Sequence, residues 1–333
     1  MTGRSNLPTG LDRVAATVVI CTYNGSTRIA AVIDALARQT APAEDWELLV
    51  IDNASSDDVA AVAGKRIAEK LNNRGRVIRE ERQGLSFARA RAAVEANGEI
   101  QCFLDEDNLP SPSWVESAVS AFRQRPRAGV IGGKVLPRWE TPPTPLAEAV
   151  APFALAICDK GETPLKIEAS GGGIVGAGMC VRTKLLREIY SDSKFLAHVT
   201  GRSGASLMSG EDLAISVQAR MKGWECWYVP SLRIEHVIPA SRMNLEYLLR
   251  LYEGIGRGQA ATRLIYDWKA RNAVLGKLIG LKDLGRWLKG QVVGLWTDAN
   301  TNELRPQLHR LHQRQLWGRG WQGICSRGLK QPM

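Results

Sequence analysis

IQCFLDEDNLP, Ile100 to Pro110, runs a strand-like apolar segment straight into three acids, Asp105, Glu106 and Asp107. Carboxylates this close repel one another, so they are stable together only where something cationic neutralises them. Two stretches upstream have the same form. Thr17–Cys21 (TVVIC) is a β-branched run with no polar interruption, the mark of a strand buried on both faces, and it ends in TYNG. Trp46–Ile51 (WELLVI) ends in Asp52-Asn53-Ala54-Ser55-Ser56-Asp57-Asp58. Between these runs Ile29, Val32, Ile33 and Leu36 lie at helical intervals within 26–39. A second helix is predicted to about Leu71 and a third from Ser86 to Ala96, with a strand near Arg76–Arg79 and a turn at Gln83-Gly84.

Strands alternating with helices predict an α/β fold built on a doubly wound parallel sheet, whose ligand lies beyond the carboxyl ends of the strands. TYNG, DNASSDD and DED then gather on one rim. A hard divalent ion suits such a rim, because Mg²⁺ or Mn²⁺ takes one or two carboxylates and leaves its other positions to water and phosphate oxygens. The expected ligand is therefore a diphosphate. A solvated loop is the alternative for the DED triplet alone; the buried strand before it and the acidic strand ends upstream favour a site. Asp57 and Asp58 read as surface or helix-capping residues.

The 333 residues are 44% hydrophobic and 23% charged, far from a disordered composition and enough for one large α/β core or two modest domains. No stretch reaches the roughly eighteen uncharged apolar residues of a spanning helix. The N-terminus lacks an apolar signal core, and the six scattered cysteines have no CxxC spacing. A cytoplasmic protein with reduced thiols is expected. The net charge of +10 lies entirely in 241–333, which holds 16 basic residues against 6 acidic ones. That block, rich in Trp and Leu, suits an anionic membrane surface, here the inner face of the plasma membrane, or another acidic partner. No nucleic-acid partner is expected.

VVICTYNG, IDNASSDD, GLSFARARAAVEANGEI, FLDEDNLP and the later SGEDL follow one another in the order and at the spacings of family 2 glycosyltransferases with the GT-A fold, which the chain resembles over roughly residues 15–240. TGRSGASLMSGEDL, GWECWYVP and IEHVIP followed by YLLRLYEGIGRG are similar to one branch, the hormogonium polysaccharide biosynthesis glycosyltransferases. The resemblance implies a Rossmann-like mixed sheet with flanking helices over 15–240, after a flexible lead at 1–14 and before a basic helical region at 241–333.

The same resemblance assigns residues. Thr22, Tyr23 and Asn24 would line the nucleotide base, with the Tyr23 ring available for stacking, and Asp52 would accept from a base N–H. Arg89 would help hold the base or its diphosphate, although Ala90 and Ala92 stand where the family usually has Asn and Gly. Asp105 would contact the ribose and Asp107 the metal, as the first and last acids of the family's D-x-D. His236 would complete the metal site, and imidazole suits Mn²⁺ better than Mg²⁺. Asp212 would be the general base, since transfer to a sugar hydroxyl needs a carboxylate near the acceptor and apart from those on the metal. The alternative for Asp212 is an acidic helix N-terminus capped by Ser209. Gly176 and Gly178 in GIVGAGMCV, together with Glu211, would lie on the acceptor side.

Residues 171–176, GGGIVG, satisfy G-x-G-x-x-G but lie mid-chain without a first βαβ unit, so no dinucleotide site is expected there. His198, His309 and His312 read as structural or surface residues. Residues 139–170 are proline-punctuated and lack a period, as an insertion shaping the acceptor pocket would be. Beyond Pro239, Leu281, Leu284, Leu288, Val292 and Leu295 form an apolar stripe flanked by Trp287 and Trp296, with Lys282, Arg286 and Lys289 off it. An interfacial helix and a helix packed on the catalytic domain both fit that pattern. The final LWGRGWQGICSRGLKQPM is expected to be largely disordered.

The expected activity is an inverting, metal-assisted single displacement. It moves a sugar from a nucleoside diphosphate, UDP first among the candidates, to a carbohydrate or lipid-linked acceptor in exopolysaccharide biosynthesis. A metal-dependent nucleotidyltransferase is one alternative, but CTYNGS lacks the Gly-rich, Lys/Arg-bearing loop such enzymes carry. A catalytically silent scaffold of a polysaccharide-assembly complex is another, and the intact DED, ED and His236 argue against it.

Overall fold

β1 (Ala16–Thr22) and β2 (Trp46–Asp52) pair in parallel, with Thr22 opposite Asp52, so the two polar strand ends lie side by side. β3 (Gly75–Arg79) adds outside β2 and β4 (Ile100–Leu104) on the free edge of β1, both parallel. The computed structural model describes residues 14–199, 201–202, 207–266, 280–288 and 304–325. Among these the sheet continues past β4 through β8 (Cys180–Arg182), β6 (Ala128–Trp139), β9 (Glu225–Ile238) and β5 (Asn108–Pro110), with the two-residue β7 (Leu165–Lys166) also on β9. β8 runs antiparallel to both its neighbours and β5 antiparallel to β9, so the parallel half predicted from the first four strands grows into a mixed sheet.

Alternate side chains of β1 enter different cores, which is why the run has no polar break. Val18 and Ile20 join Ile29, Val32 and Ile33 of α1 (Ile29–Leu36), Ile67 and Leu71 of α2 (Val59–Leu71), and Trp114 and Val115 of α4 (Trp114–Gln124). Val19 and Cys21 face the other way, towards Ala88 and Ala92 of α3 (Leu85–Glu95), Leu185 and Ile189 of α6 (Thr183–Tyr190) and Ile215 of α8 (Glu211–Met221). Each Val or Ile buried in this way contributes about 1.5–3 kcal/mol. The five cysteines whose side chains are described are all free.

A third cluster joins α5 (Pro145–Ala154), cut from the proline-punctuated insertion, to α9 (Leu245–Tyr266) and the C-terminal helix Leu304–Cys325. The described part of the basic region thus packs on the rest of the α/β fold. Glycines make that packing possible. A Cβ at Gly258 would overlap the carbonyl oxygen of Ser209, and one at Gly256 the carbonyl of Gln315, so α9 is wedged between the loop before α8 and the C-terminal helix. The expectation of disorder for the last stretch is corrected through Cys325: Gly318 lies against the Glu253 backbone and Gly320 against Gly280 and Leu284, so its glycines serve close helix contact. Residues 326–333 and 1–13, and Val292, Leu295 and Trp296 of the apolar stripe, fall outside the described residues. No described helix is long and apolar enough to cross a membrane.

Gly258→Ala forces the Ser209 loop or α9 to move, and overpacking of this kind costs about 1–3 kcal/mol. Gly64, inside α2 with open space where its Cβ would be, is the control. Gly64→Ala should stabilise by about 0.5–1 kcal/mol, so denaturant midpoints of the two variants should move in opposite directions from the wild type.

Candidate active site

The chain builds outward from β1 through β2 to β3, then returns to place β4 on the other side of β1. A cavity of about 520 Å³ opens at this switch point, lined by Thr22 and Tyr23 after β1, Asp105 and Asp107 after β4, and Asp212 and His236 from the second half of the chain. In open α/β sheets this is where ligands bind.

The structure divides the residues expected around the base. Thr22 is buried against the cavity and its hydroxyl has no hydrogen-bond partner, while the exposed Tyr23 ring faces the cavity. Asn24 turns away: at φ 52° its N–H bonds the Ser55 hydroxyl and its Oδ1 accepts from Ser56 N, tying the β1 loop to the β2 loop. Asp52 does not line the cavity either. One oxygen accepts from Ser55 N at 3.0 Å and the other pairs with Arg79 at 2.8 Å, on the strand that the parallel register sets opposite it. The neighbouring Asn53 reaches the cavity wall, with its own amide bonding Arg82 O and Gly84 N. Asp57 accepts from Ser26 N and Val59 N, a capping role at the start of α2.

Asp107 is 7% exposed. Burial alone would raise its pKa, but the His236 ring and the Arg242 and Arg202 guanidiniums outweigh burial and hold it well below the usual carboxylate range. Arg242 Nη1 donates to Asp107 Oδ2 at 2.8 Å. On the other oxygen, His236 Nε2 stands 3.6 Å from Oδ1, too far for a hydrogen bond. His236 Nδ1 donates to the carbonyl of Leu155 at 2.9 Å, and Nε2, buried and without a hydrogen-bond partner, faces the carboxylate. That is how a metal-ligating histidine is oriented, and the pair fits a divalent ion. No three His, Cys, Asp or Glu side chains cluster around a common point among the described residues, which leaves further positions on such an ion to water or phosphate. Glu106, between the two aspartates, bonds Arg28 at 2.8 Å; burial and the Asp107 charge raise its pKa.

Arg89 lies beneath the cavity over the Phe103 ring, its Nη1 3.3 Å from Glu211 Oε2. Burial works against its charge, yet the Glu211 carboxylate more than offsets this and holds its pKa above the usual value. Tyr190 donates to the other Glu211 oxygen at 2.6 Å. This buried triad anchors the first turn of α8, where Gly210 at φ 128° is the N-cap and Ser209 bonds Leu207 O instead of capping. Asp212, next in the chain, accepts from Gly176 N at 3.0 Å and from Leu213 N at 2.8 Å and has no cationic partner among the described residues. Gly176 thus lies against the candidate base, a Cβ there falling 3.5 Å from Asp212 Oδ2; Gly178, at φ 71°, packs on Ile234 away from the cavity. His309 and His312 lie on the C-terminal helix, away from the cavity lining.

Sequence reasoning passed over Arg28, Arg202 and Arg242, which line the cavity beside its acids, and the Leu155 carbonyl that orients His236. The acids themselves were the available signal, since each needs a cation.

Residues 17–190 match the Glycosyl transferase family 2 sequence family, just over half of the chain. The chain belongs to that family. Among family 2 and related proteins, it is 32% identical over 118 residues to Glycosyltransferase AglE of Haloferax volcanii, which covers 35% of this chain and 38% of AglE. The match therefore spans well under half of that relative's length. The mannosyltransferase PcManGT of Pyrobaculum calidifontis, solved with GDP-Man and Mn²⁺, superposes with TM-score 0.53 at 17% identity over 74% of this chain and 63% of its own. TarS of S. aureus (residues 1–349), solved with UDP-GlcNAc, superposes with TM-score 0.53 at 18% identity over 80% of this chain and 71% of its own. These likenesses show the GT-A fold.

The raised pKa of Glu106 generates a test. A folded-state pKa above the unfolded value favours the protonated form, so the stabilising contribution is complete below the unfolded pKa of about 4.3 and is lost as pH rises through the folded value. Glu106→Gln mimics the protonated form at every pH. Without added metal it should melt above the wild type at neutral pH, with the gap closing as pH falls towards about 4; a constant gap would place the effect elsewhere.

Proposed function

We propose that the protein is an inverting glycosyltransferase that moves a sugar from a nucleoside diphosphate, UDP first among the candidates, to a carbohydrate or lipid-linked acceptor. What carries the reading is Asp212: a carboxylate held by two backbone N–H groups, without a cationic partner among the described residues, in the same cavity as the Asp105–Asp107 acids but on a different element. Its remaining lone pairs are free to take a proton. The acceptor hydroxyl would lose its proton to Asp212 while attacking the anomeric carbon opposite the departing diphosphate, which inverts that centre in one displacement. Tyr23 would stack on the base and Asp105 contact the ribose. Asp107 and His236 would hold Mn²⁺ or Mg²⁺, which as a Lewis acid neutralises charge on the leaving diphosphate. The likeness of IEHVIP and YLLRLYEGIGRG to hormogonium polysaccharide enzymes supports exopolysaccharide assembly as the setting.

Peripheral attachment to an anionic membrane belongs to the same proposal. Leu281, Leu288 and Trp321 are exposed, and Lys282 and Arg286 stand beside the two leucines. The protein should float with anionic liposomes at low salt and be released as salt screens the charge, while Leu281→Asp with Leu288→Asp should lose flotation without loss of catalysis. Flotation by the double variant at the wild-type level would remove this face from the proposal.

A donor screen with UDP-, GDP- and dTDP-sugars in Mn²⁺ tests the reaction class, and EDTA should abolish turnover that Mn²⁺ restores. Asp212→Asn keeps the size of the side chain and an acceptor for Gly176 N but cannot take a proton. Turnover should fall by about 10² or more with donor binding and melting temperature nearly unchanged, and an α-linked donor should yield a β-linked product by NMR. A near-wild-type rate would return Asp212 to a helix-terminus role.

A further inference from the structure

We propose that Arg242 binds the donor's diphosphate with the part of its guanidinium that Asp107 leaves free, an inference that rests on the donor site proposed above. Arg242 ends the short 3₁₀ turn Ala240–Arg242 that follows β9, and its side chain, 22% exposed, lines the cavity. Of its five N–H donors, one is engaged: Nη1 to Asp107 Oδ2 is the guanidinium's single hydrogen bond among the described residues. Nε and Nη2 remain as a flat fork, a geometry that matches two oxygens of a phosphate.

Position and charge both select the diphosphate. A ligand reaching Asp107 and His236 through a shared divalent ion would lie against the cation bonded to the same carboxylate, and among the described residues that cation is Arg242. The cavity otherwise meets an anion with Asp105, Glu106 and Asp107; of its other arginines, Arg89 is buried against Glu211, Arg28 is joined to Glu106, and the exposed Arg202 acts on Asp107 through space without a hydrogen bond to it. The bond to Asp107 fixes one edge of the guanidinium plane, so little ordering remains to be done when a phosphate arrives.

The test compares nucleotide pairs, UDP with UMP and GDP with GMP, binding to the full chain by calorimetry in EDTA and again in Mn²⁺. In EDTA the wild type should prefer a diphosphate to its monophosphate by about tenfold or more. Arg242→Gln should bring that ratio close to one with monophosphate affinity retained. Arg242→Lys keeps the charge opposite Asp107, and hence the fold, but loses the fork, so it should give an intermediate ratio. A wild-type ratio in the lysine variant, or equal losses for mono- and diphosphate in either variant, would overturn the proposal. Diphosphate binding without any effect of Arg242 refutes this inference alone, whereas a wild type that binds no nucleotide with or without Mn²⁺ refutes the donor site and the inference together.

Discussion

A carboxylate that is 7% exposed stays ionised only if cations or donors surround it, and Asp107 draws its partners from distant parts of the chain. His236 and Arg242 come from β9 and the turn after it and Arg202 from the loop before α8, while Asn108, the first residue of β5, follows Asp107 directly in the chain. The three residues of β5 make sense in this light. By pairing Asn108 with His236, and by Asp107 O accepting from Val237 N, they fix the register that brings acid and imidazole together. Without that edge pairing the acidic triplet would be the solvated loop that its composition alone allows.

The candidate base depends on a different kind of support. Asp212 sits on the first turn of α8, and that turn is gripped from below by the Arg89–Glu211–Tyr190 triad and from outside by α9 through Gly258. A buried ion pair of this sort is weak as a source of stability, because desolvation offsets much of the attraction. It is strong as a device of position, since removing either member leaves the other charge buried alone.

How much of this could be read from the chain follows from the range of each interaction. TVVIC and WELLVI announce buried strands because burial on both faces leaves a local pattern, and the acids at the strand ends follow directly from that reading. Asp52 shows the limit: its pairing with Arg79 is set by the register of β2 on β3, which nothing local displays. Arg242 is hidden among 16 basic residues of the last stretch, where charge alone does not distinguish a site from a surface. α5 is masked by Pro152 inside it, and the C-terminal helix by glycines that read as breakers although they serve close contact.

The link between Leu155 and His236 joins two halves of the cavity that would otherwise be independent. Leu155 follows α5, whose end, Pro152 to Ala154, forms part of the cavity wall, and Ala156 holds φ 57°, a conformation uncommon for a residue with a Cβ. The same turn therefore shapes one wall and aims the imidazole. A change of side chains there cannot reshape the wall in isolation: it reaches the ring across one hydrogen bond, so diversification of this wall is constrained to substitutions that leave a single carbonyl in place.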